Sequence, residues 1–335
     1  MTAFELYLKR HSKKFDAYLA EFFRNGSHAD MRRYLYDPLA GYTRNAGKRH
    51  RPLICLLGCE AVGGDPVRAM AAAAAIEHFH TAALIHDDIM DSSLTRRGEP
   101  CLHVREGEGL AINSGDLALS LVTGTVVDDS GLSDSCKLRV LKELVDMTTR
   151  TIEGQALDIG WARDDRFDLT VDDYLVMANH KTAFYSGGVP LAIGAIIGGG
   201  TDEQVAVLRA FGQAAGLAFQ IQDDVLNLVG KREATKKDFR SDLTEGKRTL
   251  AAVHALQHAP RRERLLEILA ARVEDPSLLQ EAVDIMNESG SVEFARVYAH
   301  DLVIDAKRDL EAEVPKSRAR DLLLSMADFF VERDN

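Results

Sequence analysis

The spacing of hydrophobic positions along the chain is that of helices. Near the amino terminus, apolar residues recur at helical intervals through Phe4, Phe15 and Leu19, which predicts an amphipathic first helix. Farther along, segments rich in Ala, Leu, Ile, Glu and Arg lie between breakers such as residues 63–66 and 98–100. No convincing run of alternating apolar and polar residues indicates a strand. The pattern predicts an all-α chain of about a dozen helices.

Composition narrows the class of protein. The formal net charge of -11 argues against a general nucleic-acid binder, which needs a basic surface. The cysteines are Cys55, Cys59, Cys101 and Cys136. Their spacing suits no zinc site or disulfide framework, so we expect reduced thiols in a cytoplasmic protein. The amino terminus lacks the order of a signal peptide, and the glycine-rich apolar run over residues 187–200 is short and interrupted, which predicts no membrane span.

A first acidic cluster follows a stretch that is apolar on nearly every side. Residues 69–86 predict a buried helix, and it runs directly into Asp87, Asp88 and Asp91. In this DDxxD pattern, Asp87 and Asp91 share one helix face and repel each other unless a cation lies between them. Carboxylate oxygens suit magnesium, whose coordination substrate phosphates usually complete. Alone, such a pattern is more often a solvated acidic end of a helix.

A second acidic cluster favours a metal site over a solvated helix end. It consists of Gln220, Asp223, Asp224 and Asn227, in the sequence QIQDDVLN, after an apolar run over residues 211–219. At helical spacing these side chains lean toward one face. A second acidic helix facing the first would enclose a cavity in which metal ions bridge both walls to a diphosphate. Asn227 is neutral, so the second wall carries fewer charges than a full DDxxD.

Basic clusters alternate with the acidic ones. They are GKRHRP at residues 47–52, Arg96 and Arg97 after the first acidic cluster, Lys181 between the two, and Lys237 and Lys247 after the second. Each alone is typical of a solvated surface. Arginine supplies planar forks for phosphate oxygens, and lysine supplies point charges. The alternation therefore favours a site that holds two anionic substrates together.

The order and spacing of these motifs resemble the trans-isoprenyl diphosphate synthase (polyprenyl synthetase) family, especially its geranylgeranyl diphosphate synthase-like members. The matching stretches are GKRHRP (47–52), HFHTAALIHDDIMDSSLTRRG (78–98), EGQALD (153–158), HKTAFYS (180–186), FQIQDD (219–224) and KKDFRSDLTEGKRT (236–249). The resemblance is close over residues 40–250. It implies a single polyprenyl synthetase domain over residues 1–335, folded as a helical bundle around a central cavity, and a homodimer.

The resemblance also implies a role for each matching residue. Several magnesium ions would be bound by Asp87 and Asp91, with support from Asp88, and by Asp223 and Asp224. Lys48, Arg51, His80 and Arg97 would grip isopentenyl diphosphate. Arg96, Lys181, Lys237 and Lys247 would grip the allylic diphosphate. Thr182 and Gln220 would lie beside the allylic cation, with Gln155 and Asp158 as support. Without the resemblance, His80 would be interpreted as a core histidine.

These roles imply a head-to-tail condensation in trans without a protein nucleophile. Magnesium and the basic side chains stabilise the departing diphosphate, where negative charge grows. The double bond of isopentenyl diphosphate attacks the remaining allylic cation, and the protein positions both substrates and excludes water. The small Ala82 and Ala83 would not block a growing tail, whereas Phe79, one turn deeper, could form its floor. The first prediction is therefore the twenty-carbon geranylgeranyl diphosphate.

Two departures from the family pattern and two alternative functions stay open. Asn227 replaces the last Asp of the usual second motif, and Lys236 and Arg240 replace the usual glycines around Lys237. A class I terpene cyclase also uses DDxxD and magnesium, but Asp224, Asn227 and Lys231 do not fit its second motif. The third possibility is a non-catalytic helical partner subunit, against which the full set of acidic and basic residues argues.

Overall fold

The computed structural model describes residues 1–23, 26–45, 47–230 and 240–332, and most of them are helical. The α-helices are α1 (Ala3–Leu19), α2 (Ala29–Met31), α3 (Asp37–Arg44), α4 (His50–Ala61), α5 (Met70–Met90), α6 (Leu102–Glu106), α7 (Glu108–Val127), α8 (Asp134–Arg163), α9 (Val171–Ala178), α10 (Val189–Gly198), α11 (Asp202–Val229), α12 (Ser241–Thr244), α13 (Leu250–His258), α14 (Arg262–Ala270), α15 (Pro276–Glu288), α16 (Ser291–Glu313) and α17 (Arg318–Glu332). The all-α prediction is confirmed.

In the described residues, other helical segments connect or continue the α-helices. They are 3₁₀-helical over Ala20–Phe23 and Pro66–Ala69, and π-helical over Arg32–Tyr36 and Asn179–Gly188. One antiparallel ribbon pairs β1 (Thr95–Arg96) with β2 (Glu99–Pro100), and it carries the first basic pair after the acidic end of α5.

The chain folds as two compact units. Unit 1 contains residues 1–146, 189–208 and 314–323, and unit 2 contains residues 147–188, 209–313 and 324–335. The division falls within α8, α11 and α17. The prediction of one polyprenyl synthetase domain over residues 1–335 concerns the evolutionary unit and stays a prediction.

The core of unit 1 surrounds α5. The alanines from Ala72 to Ala75 and the neighbouring Ile76 are fully buried, as expected for a helix that is apolar on every side. Helix α10 packs against α4 with backbone in contact with backbone. A Cβ atom on Gly194 would overlap the carbonyl oxygen of Cys55, so this approach depends on glycine. Helix α5 in turn packs against α4 and α7.

In unit 2, a π-helical segment follows α9 and packs closely against α11. A Cβ atom on Gly212 would overlap the backbone of Gly187, so the two elements touch through their main chains. Long π-helical segments are rare and often occur at functional sites. This one, Asn179–Gly188, carries Lys181 and Thr182.

Helix α7 has the length and composition of a membrane-spanning helix. Its mean hydropathy over 18 residues is 1.4, with 39% of that window buried. Core helices of water-soluble proteins share both properties, and α7 carries Glu108 and Asp116.

Candidate active site

The first acidic cluster lies at the carboxyl end of α5, in unit 1. Asp87 is half-buried and Asp91 is exposed at the helix C-cap, with the Asp91 N–H donating to the Asp87 carbonyl at 2.9 Å. The two side chains are one turn apart on the same face, as the sequence predicts. The last carbonyl groups of a helix also carry partial negative charge. This end of α5 therefore attracts a cation.

Asp88, between them, is fully buried and has both carboxylate oxygens engaged. The Tyr42 hydroxyl donates to Oδ2 at 2.7 Å, while Arg96 donates to Oδ1 through Nε at 2.7 Å and Nη2 at 2.6 Å. Burial and then the charge of Asp88 raise the pKa of Tyr42, which stays a hydroxyl donor. Asp88 thus fixes Arg96 and the last turn of α5, and its predicted part in a magnesium site stays a prediction.

Three of the residues predicted to grip isopentenyl diphosphate lie in unit 1 near the start of α4. Nη1 of Arg51 lies 3.4 Å from Nε2 of His80, and Arg97 donates from Nη1 to the Asn45 carbonyl at 2.7 Å. Burial, and then the charge of Arg51, holds the pKa of His80 well below its ordinary value. Since arginine only donates, the neutral His80 accepts at Nε2 and carries its proton on Nδ1.

The basic stretch at residues 47–52 divides into exposed and buried members. Lys48 is exposed, whereas Arg49 is buried in a left-handed conformation with φ of 53°. Arg49 pairs with the buried Glu77 and, at 2.7 Å, with Asp16. Its guanidinium therefore serves the fold and anchors the loop that carries Lys48.

The second acidic cluster lies on α11, in unit 2. Asp223 is exposed, while the half-buried Asp224 accepts from the Tyr174 hydroxyl at 2.9 Å and from Nε2 of Gln220 at 2.7 Å. A capping box between Thr170 and Asp173 begins α9 and so positions Tyr174 one residue later. Burial, followed by the charge of Asp242, raises the pKa of Asp224 well above its ordinary value.

Two of the lysines predicted to grip the allylic diphosphate, Lys181 and Lys247, have acidic partners in unit 2. Lys181 pairs with Asp158. A Cβ on Gly154 would overlap the backbone of Lys181, so glycine allows α8 to approach this closely. The neighbouring Thr182 is buried. Lys247 lies 3.1 Å from Asp242 and 2.8 Å from Glu245. The predicted Lys237 lies outside the described residues.

Both acidic clusters offer the donor chemistry that magnesium prefers. Asp87, Asp91 and Asp223 supply hard carboxylate oxygens at solvent-accessible positions. In the described part of the chain, no three His, Cys, Asp or Glu side chains form a complete ligand set. Magnesium retains several waters and is usually held by one or two carboxylates plus substrate phosphates, so a partial set fits it.

Sequence reasoning missed the residues that hold these clusters. Tyr42 and Tyr174 each donate to the second aspartate of a DD pair, and Asp242 pairs with Lys247. The tyrosines are 46 and 50 residues from their partners, so no local spacing reveals them. Asp242 lies only five residues before Lys247, and that separation was the one available signal.

Comparison with known proteins is consistent across sequence and structure. The family model described as Polyprenyl synthetase matches residues 32–286. The chain is 44% identical to a short chain isoprenyl diphosphate synthase of Methanothermobacter thermautotrophicus, over 86% of this chain and 87% of that protein. It is 37% identical to a geranylfarnesyl diphosphate synthase of Natronomonas pharaonis, over 90% of this chain and 88% of that protein.

Solved structures agree. A geranylgeranyl pyrophosphate synthetase from Pyrococcus horikoshii superposes with a TM-score of 0.90 at 34% identity, covering 98% of both chains. A geranylgeranyl pyrophosphate synthase from Corynebacterium glutamicum, complexed with isoprenyl diphosphate and magnesium, superposes with a TM-score of 0.86 at 28% identity over 99% of both chains. The chain belongs to the polyprenyl synthetase family and is a trans-prenyltransferase.

Proposed function

We propose that this enzyme condenses isopentenyl diphosphate with an allylic diphosphate to give geranylgeranyl diphosphate. The observation that carries the proposal is the acidic end of α5. There, Tyr42 and Arg96 hold Asp88 while Asp87 and Asp91 share one accessible face. The name of the Pyrococcus horikoshii protein supports the twenty-carbon product.

The acidic residues are proposed to hold magnesium. Asp87 and Asp91 at the end of α5, and Asp223 on α11, are the proposed ligands. Asp88 and Asp224 accept hydrogen bonds from tyrosines and support their neighbours. When bound, magnesium neutralises the charge that develops on the departing diphosphate.

The basic residues divide between the two substrates. Isopentenyl diphosphate is proposed to be bound by Lys48, Arg51, His80 and Arg97. The allylic diphosphate is proposed to be bound by Arg96, Lys181, Lys237 and Lys247. Asp88, Asp158 and Asp242 orient Arg96, Lys181 and Lys247 through the ion pairs described above. Side chains held in advance lose less conformational freedom when an anion binds.

Thr182 and Gln220 are proposed to lie beside the allylic cation. Both offer polar oxygens without a full negative charge, which stabilises a cation without capturing it. Thr182 is buried, and Gln220 is oriented by its 2.7 Å hydrogen bond to Asp224. Apolar surroundings exclude water that would otherwise quench the cation.

Phe79 is the proposed floor for the growing tail. It lies eight residues before Asp87 on α5, which corresponds to about 12 Å of helix rise. Phe79 is buried, and the small Ala82 and Ala83 lie between it and the acidic end. A rigid aromatic ring at that depth would end the space for the product.

We also propose that the enzyme is a homodimer in the cytoplasm. Four exposed apolar residues recur every seven positions along α8: Leu138, Val145, Ile152 and Ile159. On a helix this spacing forms one apolar stripe, which is the pattern that pairs helices. Ile112 and Val127 leave apolar side chains exposed on α7 as well. A second copy of the chain would cover these residues.

The proposed function is tested by product sizing. The enzyme is incubated with labelled isopentenyl diphosphate, magnesium and allylic primers of increasing length. A twenty-carbon diphosphate is expected. A cyclised hydrocarbon formed without isopentenyl diphosphate would identify a cyclase instead, and no turnover with any primer would identify a non-catalytic subunit.

The dimer is tested separately by light scattering after size-exclusion chromatography. Ile152→Glu should reduce the mass from two chains to one, because it buries a charge in the proposed interface. Ile304→Glu, at a similarly exposed isoleucine of α16, is the matched control. A monomeric wild-type protein would contradict the proposal.

A further inference from the structure

Asn227 joins the end of α11 to the segment that begins at Arg240. Its side-chain Oδ1 accepts from the N–H of Asp242 at 3.3 Å, and its Nδ2 donates to the Ser241 hydroxyl at 3.2 Å. Its own carbonyl accepts from the N–H of Arg240 at 3.0 Å. One residue thus contacts three consecutive residues that lie 13 to 15 positions farther along the sequence.

The segment held in this way is tightly built. Arg240 is buried in a left-handed conformation with φ of 62°, and its Nη2 donates to Gln280 at 2.5 Å. Helix α12 follows directly, and the Lys247 N–H donates to the carbonyl of Asp242 at 2.8 Å. The backbone of Asp242 is therefore bonded to Asn227 on one side and to Lys247 on the other.

The side chains of Asp242 and Lys247 also interact. The buried carboxylate of Asp242 accepts from Nζ of Lys247 at 3.1 Å. Burial alone would lower the pKa of Lys247, but the charge of Asp242 raises it, so the lysine stays cationic. Asp242 shares the Lys247 ammonium with Glu245, which lies 2.8 Å from it, and Asn227 in turn holds the backbone of Asp242.

The other end of the segment is anchored independently. Nε of Arg248 donates to the Arg166 carbonyl at 2.6 Å, and its guanidinium stacks 3.9 Å from the centre of the Phe167 ring. Asn227 and Arg248 hold opposite ends, with Lys247 beside the Arg248 anchor. Replacing Asn227 by Ala would remove both side-chain bonds that connect α11 to Ser241 and Asp242.

We propose that Asn227 is a positioning residue that presents the Lys247 ammonium to the allylic diphosphate through Asp242. This rests on the proposed function of Lys247. In place of the charge expected at the end of a second acidic motif, the structure has a neutral amide that both donates and accepts. A carboxylate at position 227 would add a negative charge beside Asp242, whose N–H donates to the Asn227 Oδ1, and could not donate to the Ser241 hydroxyl.

The test is a double-mutant cycle read by equilibrium binding. The ligand is a non-reactive allylic thiolodiphosphate, and its dissociation constant is measured calorimetrically with magnesium present. Lys247→Ala and Asn227→Ala should each weaken binding about tenfold, the scale of one charge-assisted hydrogen bond. The double variant should bind no more weakly than Lys247→Ala, because Asn227 acts through that lysine.

A milder substitution, Ser241→Ala, keeps the test valid if Asn227→Ala does not fold. Ser241→Ala removes one of the three bonds and should weaken binding about threefold in wild type, but not in the Lys247→Ala background. Additive losses in the cycle would overturn the positioning role, because they would show that Asn227 acts independently of Lys247. Unchanged binding after Asn227→Ala or Ser241→Ala, with Lys247→Ala impaired, would overturn it as well.

Failure of the proposed function of Lys247 gives a different result from failure of the positioning role of Asn227. If wild-type enzyme does not bind the analogue, or Lys247→Ala binds it as wild type does, the assignment of Lys247 is wrong and the inference fails with it. Isopentenyl diphosphate provides the internal control. Its dissociation constant should stay unchanged in Asn227→Ala, whereas general loosening of the structure would weaken both ligands.

Discussion

The Tyr42 hydroxyl donates a 2.7 Å hydrogen bond to the buried carboxylate of Asp88. Tyr174 makes the corresponding bond to Asp224 at 2.9 Å. In each acidic cluster, a tyrosine from another helix thus holds the second aspartate of the pair. The bond fixes the helical turn whose neighbouring aspartate is proposed to hold magnesium, because a satisfied buried carboxylate resists rotation of its helix.

Replacing Tyr42 by Phe should loosen this arrangement while keeping the ring. The buried Asp88 loses a donor, so the free energy of unfolding should fall by about 1–3 kcal/mol. We also expect the magnesium concentration for half-maximal activity to rise, because Asp87 and Asp91 are less well oriented. Both are measured by urea unfolding and by magnesium titration of turnover. Tyr34→Phe, at an exposed tyrosine, is the control, and identical behaviour of the two variants would contradict the role of Tyr42.

Arg49 and Lys48 are neighbours, but substituting them should affect different properties: stability for Arg49 and substrate binding for Lys48. Arg49→Ala leaves Glu77 buried without its ion-pair partner, which should lower the free energy of unfolding by about 3–5 kcal/mol. Lys48→Ala, at an exposed position, should change it by less than about 0.5 kcal/mol. It should instead raise KM for isopentenyl diphosphate. Denaturant unfolding and steady-state kinetics separate the two, and an equal loss of stability in both would contradict the division.

Phe79→Ala should lengthen the product, because it removes the proposed floor below Ala82 and Ala83. Product sizing by chromatography should show a shift beyond twenty carbons. The change also leaves a cavity and should cost about 3–5 kcal/mol of stability. Phe15→Ala, at an equally buried residue of α1, controls for that loss and should leave product length unchanged. An unaltered product from Phe79→Ala would exclude it as the floor.

His78 should make stability depend on pH. It is fully buried in T-shaped contact with the rings of Phe22 and Phe23, and burial lowers its pKa from 6.5 to about 3. Below about pH 6.5 the unfolded chain binds a proton that the folded chain does not. The free energy of unfolding should therefore fall by about 1.4 kcal/mol for each further pH unit down to the folded pKa.

His78→Phe should remove this dependence. Relative to wild type, its free energy of unfolding should rise by about 2 kcal/mol between pH 7 and pH 5, measured by urea unfolding at both values. His28→Phe, at an exposed histidine, should leave the wild-type slope unchanged. Parallel curves for His78→Phe and wild type would show that His78 is not kept neutral by burial.

Local patterns predicted the helices and the acidic faces, while partners distant in sequence could not be predicted. Asp87 and Asp91 are one turn apart, so helical spacing alone places them on one face. Tyr42 reaches Asp88 only through the packing of α3 near the end of α5, which no short-range pattern encodes. Arg49 illustrates the same limit, because its place in a basic stretch predicts a solvated cation, whereas tertiary packing buries it against Glu77.

Magnesium-dependent turnover by Asp87 variants tests the central claim most directly. Incorporation of labelled isopentenyl diphosphate into an allylic primer is measured for wild type, Asp87→Asn and the exposed control Asp30→Asn, before and after chelation. We expect chelation to abolish wild-type turnover, Asp87→Asn to reduce it by about a hundredfold, and Asp30→Asn to leave it unchanged. Turnover that survives chelation, or an Asp87→Asn variant as active as wild type, would contradict a magnesium-held diphosphate at the end of α5.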